Sequence, residues 1–125
     1  MSLQFQPPPG GLVAGITVLL DYPEGKVDLP GNDTTFPAGT LSGAPAGASV
    51  NVNDLNFSGK GHAVRVTATG PNGNAIPPGQ LVRFRMQNCT GATAPTPQQF
   101  PCYVLVANDP FLNQVQGVTC FVTLP

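Results

Sequence analysis

The sequence predicts an all-β protein, an antiparallel two-sheet β-sandwich of jelly-roll or immunoglobulin-like type, on three observations. Apolar residues recur at every second position in several segments, and helical spacing never persists beyond one turn. Glycine and proline, 15 of each in 125 residues, fall between those segments as turn punctuation. Both also oppose helix, proline by about 3 kcal/mol and glycine by about 1 kcal/mol in a helix interior.

In chain order, residues 1–10 read as a short edge strand or linker around Leu3-Gln4-Phe5-Gln6. Residues 12–22 place Ile16, Val18, Leu20 and Tyr22 on one face and Thr17, Leu19 and Asp21 on the other. A short strand is expected at 26–29. Segment 49–57 begins with Val50 and Val52 inward and resumes with Leu55 and Phe57, so a bulge, or a bend where the strand crosses between sheets, is expected at Asn53-Asp54. Residues 62–69 turn Val64, Val66 and Ala68 inward, with Arg65, Thr67 and Thr69 outward. Pro71-Asn72-Gly73-Asn74 is a turn, with proline pre-set for its corner and Asn-Gly suited to positive φ. Residues 81–87 follow with Val82, Phe84 and Met86 inward and Arg83 and Arg85 outward. After a proline-rich loop at 90–101, strands are expected at 102–107, with Tyr103 inward, and at 117–124. One wet and one buried face per strand is the pattern of antiparallel sheets.

A chain of this length fits one domain, residues 1–125. Its charged fraction is 9%, against about 25% in ordinary soluble domains. Five basic residues (Lys26, Lys60, Arg65, Arg83, Arg85) and a net charge of −1 exclude a nucleic-acid surface, which needs clustered cations. No apolar run reaches the 18 residues of a transmembrane helix, so membrane insertion is not expected. The first residues lack the basic and apolar regions of a signal peptide. Low charge, abundant Thr, Asn and Gly, and three cysteines nevertheless point to a secreted or cell-surface protein.

Val13-Ala14-Gly15-Ile16-Thr17-Val18-Leu19-Leu20-Asp21-Tyr22-Pro23, then Val27-Asp28-Leu29, resembles the strand–turn–strand unit of bacterial cohesin domains. Asn56-Phe57 with Ala63-Val64-Arg65-Val66-Thr67-Ala68 is similar to that family's central strand pair, and Gly79-Gln80-Leu81-Val82-Arg83-Phe84-Arg85-Met86 to a later strand. The resemblance implies a jelly-roll sandwich and protein–protein binding, to a dockerin-like module or another surface protein; that no catalytic residue or cofactor is expected follows from the residues themselves. On that layout segments 14–22, 50–57, 62–69 and 102–107 share one sheet. Its wet face would carry the partner-contact residues Thr17, Leu19, Asn51, Asn53, Arg65 and Thr67. The bland alternative is a solvated sheet face.

The remaining constellations point away from catalysis. His62 is the single histidine and stands at the start of a strand, with no nucleophile beside it in sequence. The acids Asp21, Glu24, Asp28, Asp33, Asp54 and Asp109 are expected in or beside turns, where they bond local amides. Asp28 and Asp33 with neighbouring carbonyls are the only candidates for a loop-bound calcium, and solvated turn acids are the simpler expectation; no metal site is expected. Cys89 and Cys102 bracket the proline-rich loop, which makes their disulfide the first expectation, with Cys102–Cys120 next and three buried free thiols of a cytosolic protein as the remaining alternative. A carbohydrate-binding module, with polysaccharide as ligand, is the competing function. It draws attention to Phe111 and Leu112 as a loop contact, unless that pair plugs the end of the sandwich. Three Asn-x-Ser/Thr sites, at Asn32, Asn56 and Asn88, add nothing in a chain so rich in these residues.

Overall fold

The computed structural model describes residues 1–23, 25–31, 35–56 and 62–125, with the backbone alone at 56, 62 and 63. The strands are β1 (Ser2–Gln6), β2 (Gly15–Asp21), β3 (Val27–Asp28), β4 (Leu41–Ser42), β5 (Ser49–Asn56), β6 (His62–Thr69), β7 (Gly79–Phe84), β8 (Gln87–Asn88), β9 (Cys102–Asn108) and β10 (Thr119–Thr123). One antiparallel sheet runs in the order β10-β1-β7-β4 and packs as a sandwich on a second, β5-β6-β2-β9. A two-stranded ribbon, β3–β8, stands beside them. The described helices are two short 3₁₀ turns, Pro71–Gly73 and Pro97–Gln99. No helix among the described residues is long and apolar enough to cross a membrane.

The period-2 pattern sets the faces. Ile16, Val18 and Leu20 of β2 and Val64, Val66 and Ala68 of β6 all point into the sandwich, none more than 2% exposed. Leu3 and Phe5 of β1 and Leu81, Val82 and Phe84 of β7 meet them from the other sheet. Two consecutive core residues in β7 need a break in alternation. The β1–β7 register supplies it: Leu3 opposes Val82 and Gln4 opposes Gln80, leaving Leu81 as the extra residue of a bulge. Each fully buried Val, Leu or Phe contributes about 1.5–3 kcal/mol.

Four expectations need correction. The first residues form no edge strand or linker: β1 lies between β10 and β7, because Leu3 and Phe5 are apolar enough to be wholly buried there. No bulge occurs at Asn53-Asp54. The β5–β6 register runs unbroken from Ser49 opposite Thr69 to Asn56 opposite His62, which keeps Asp54 on the inward parity and buries it. Asp54 is therefore a strand residue and not a turn acid, and Leu55 turns outward. An inward-pointing carboxylate on an edge strand discourages addition of a further strand. Tyr103 faces outward, 54% exposed, because β9 bulges at Leu105.

The fourth correction concerns the cysteines. Cys102 bonds Cys120, with Cα atoms 6.1 Å apart, and Cys89 stays a half-buried thiol. Cys89 and Cys102 were expected to close a hairpin, but β8 pairs with β3 and β9 pairs with β2, so the two cysteines stand on unrelated edges. The disulfide instead joins β9, at the edge of one sheet, to β10, at the edge of the other, and closes one open side of the sandwich.

The turn at 71–74 forms as expected, with Asn72 at φ 53° and Gly73 at φ 75°. Gly70 just before it is required for space: a Cβ there would overlap the carbonyl oxygen of Asn74. Its amide donates to the Ala14 carbonyl, and the Ile76 amide donates to that of Val13, so this turn is tied to the β1–β2 connection.

Candidate interaction face

The outer face of β5-β6-β2-β9 is built by register. One cross-strand row reads Asn51, Thr67, Thr17, Val106, and the next reads Asn53, Arg65, Leu19, Tyr103. Directly opposite side chains in such rows stand about 4.5–5.5 Å apart at Cβ. The six residues expected to share a face therefore do so, as two adjacent rows across β5, β6 and β2. Arg65 and Asn51 are exposed, and Thr17, Leu19, Asn53 and Thr67 are half-buried by their neighbours.

The β9 end of this face is apolar, which sequence reasoning missed. Inward on β9 are Cys102, Val104 and Ala107, opposite Leu20, Val18 and Ile16. The bulge at Leu105 leaves Tyr103, Leu105 and Val106 outward, between 41% and 54% exposed. The run Cys102-Tyr103-Val104-Leu105-Val106-Ala107 is apolar at almost every position, so alternation cannot reveal a shift of parity within it. The assembled surface is polar over β5 and β6, mixed over β2, where Leu19 stands between Thr17 and Asp21, and apolar over β9. Arg65 is the one charged side chain in its two central rows.

Other candidates do not converge. Asp21 closes β2 on the outer face, Asp54 points inward from β5, Asp28 pairs with Gln87 in the β3–β8 ribbon, and Asp109 follows β9. Among the described residues no three His, Cys, Asp or Glu side chains come together as metal ligands would. Asp33, the second calcium candidate, Glu24 and the side chain of His62 lie outside the described residues, as do the sites at Asn32 and Asn56. A hollow of about 310 Å³ between Met1, Val27, Met86, Phe100 and Leu124 is lined by no ionisable side chain. Phe111 and Leu112 plug nothing: they are 83% and 85% exposed.

No protein family, characterised protein or solved structure matches the chain. None of these comparisons identifies a cohesin-like domain, and function has to be argued from the surface.

Proposed function

We propose that the domain is a non-catalytic binding module that docks a protein partner on the outer face of β5-β6-β2-β9. The observation that carries this is Tyr103 and Leu105, each more than half exposed, beside Leu19 and Arg65. Aromatic residues and arginine dominate binding hot spots, and interface centres are poor in charge. Leu19 and Tyr103 would form the apolar centre. Arg65 would supply the charged contact, with Asn51, Asn53, Thr17 and Thr67 as the polar rim. The disulfide between β9 and β10 supports work in an oxidising compartment, as a secreted or cell-surface protein.

The outward Tyr103 also favours a second function, carbohydrate binding, since an exposed ring flanked by Asn, Arg and Thr can stack a sugar and bond its hydroxyls. Calorimetry of the domain against dockerin modules, together with affinity gels containing polysaccharides, separates the two. The protein reading expects dockerin binding that Leu19→Asp and Arg65→Glu each weaken at least tenfold. Gel retardation that vanishes with Tyr103→Ala, with no dockerin binding, would replace it by the carbohydrate function.

A further inference from the structure

Asp109 is followed by Pro110, and none of the chain's other acids precedes a proline. The bond between them is a tertiary amide, whose nitrogen has no hydrogen. That nitrogen cannot attack the aspartate side chain and close an imide, the reaction open to other aspartyl bonds. What remains is attack in the other sense, by the Asp109 carboxylate on its own backbone carbonyl carbon, with the Pro110 nitrogen as leaving group.

The loop is built around that bond. Asp109 Oδ1 accepts from the amides of Phe111 and Asn113, each at 2.9 Å, which pins the carboxylate in the turn that holds its own peptide carbonyl. A nucleophile fixed beside its target gains the effective concentration of an intramolecular reaction. The carbonyl oxygen of Asp109 accepts from the Leu112 amide at 3.0 Å. An amide already aimed at this oxygen stabilises the negative charge that attack on the carbonyl places there. Leu112 itself is held at φ 65°, a left-handed conformation costly for leucine, and strained backbone of this kind collects at reactive sites. Phe111, Leu112 and Asn113 are exposed, so water reaches the loop. Gly10, Gly11, Leu12 and Val115, which border the hollow beside Asp109 and Pro110, bring no titratable side chain.

We propose that the chain cuts itself once, between Asp109 and Pro110, in mildly acidic solution. A carboxylate oxygen of Asp109 bonds to the Asp109 carbonyl carbon, the bond from that carbon to the Pro110 nitrogen breaks, and the nitrogen takes a proton from hydronium. This leaves the five-membered cyclic anhydride of Asp109 and a secondary amine at Pro110. One water then opens the anhydride to the free α- and side-chain carboxyls, so the net change is hydrolysis of one peptide bond. The cut falls inside the loop closed by Cys102–Cys120 and outside the strands, since β9 ends at Asn108 and β10 begins at Thr119. Residues 1–109 and 110–125 therefore stay joined by the disulfide, with β10 still paired to β1. The product is a two-chain sandwich with a new amino terminus at its exposed tip.

The test is incubation of the purified protein at the lowest pH at which its circular dichroism is native, followed by mass spectrometry with and without reductant. The expected result is the gain of one water without reductant and two chains, 1–109 and 110–125, with it. The rate should not depend on protein concentration. The same chain unfolded in urea at that pH is expected to cut at least tenfold more slowly, because the turn no longer holds the carboxylate or the Leu112 amide in place. Asp109→Glu, which would have to close a six-membered ring, and Pro110→Ala, which restores a secondary amide, are each expected to slow the cut at least tenfold. An intact chain, a cut at another bond, or a rate that rises with concentration would overturn the proposal. So would equal rates in the folded and unfolded chain, or a cut that survives Asp109→Glu.

Discussion

Removing the Cys102–Cys120 bond tests the architecture most directly. The bond closes a loop of 18 residues and joins strands that belong to different sheets. In the chain-entropy account the cross-link costs the unfolded chain about 11 cal/mol/K, or about 3 kcal/mol at 25 °C. Spread over the unfolding entropy of a chain this size, that is a fall in melting temperature of roughly 11 °C. The double variant Cys102→Ser/Cys120→Ser keeps similar volume and isolates the cross-link. Urea unfolding of wild type and variant, each with and without reductant, gives the number. Reductant should act on the wild type alone. Peptide mapping after alkylation without reduction should find one labelled thiol, Cys89. A Cys89–Cys102 peptide, three labelled thiols, or a stability loss below about 1 kcal/mol would refute the argument that β9 and β10 are neighbours held by this bond.

Other perturbations have signs set by geometry. Gly70→Ala drives a methyl into the Asn74 carbonyl and should cost about 1–3 kcal/mol in urea unfolding, whereas Gly15→Ala meets nothing within 4 Å and should be near neutral. Leu112→Gly relieves a left-handed leucine and should raise stability by about 1 kcal/mol, measured the same way. The Met1 amine donates to the Phe84 carbonyl, and burial first, then Arg83, holds its pKa below the ordinary 8.0. Between the folded and unfolded values the unfolded chain binds more protons, so stability should rise as pH is raised through that window and level off above 8.0. Unfolding curves at constant ionic strength from pH 6 to 9 would show a flat or falling trend if the amine were not desolvated.

The parts of this fold that were legible in sequence are those where one face is apolar and the other is not. β2 and β6 announce their inward residues, β7 announces Val82 and Phe84 but not Leu81 of its bulge, and the four segments that the resemblance implied to share one sheet are those of β5, β6, β2 and β9, which do share one. Legibility fails where the alternation carries no information or carries the wrong kind. In β9 an all-apolar run conceals a bulge, so Tyr103 was assigned to the wrong face and half of the candidate surface went unseen. In β5 a buried aspartate resembles a parity break, because a carboxylate is the last side chain expected inside. The disulfide failed for another reason. Nearness along the chain favours Cys89, while pairing is decided by which sheet edges meet.

The closure between β9 and β10 also governs how the protein responds to force. Residues 2 and 123 are paired neighbours in adjacent antiparallel strands, so tension applied at the two ends opens β1 from β10 one pair at a time instead of shearing them together. Peeling β10 from its C-terminal side passes Thr123, Val122 and Phe121 and then arrives at Cys120, which is anchored to the opposite sheet. While that anchor holds, the 18-residue segment behind it adds nothing to the stretched length, and reduction releases roughly 60 Å more chain. The same bond that closes the sandwich therefore makes its mechanical reach a readout of the redox state around it.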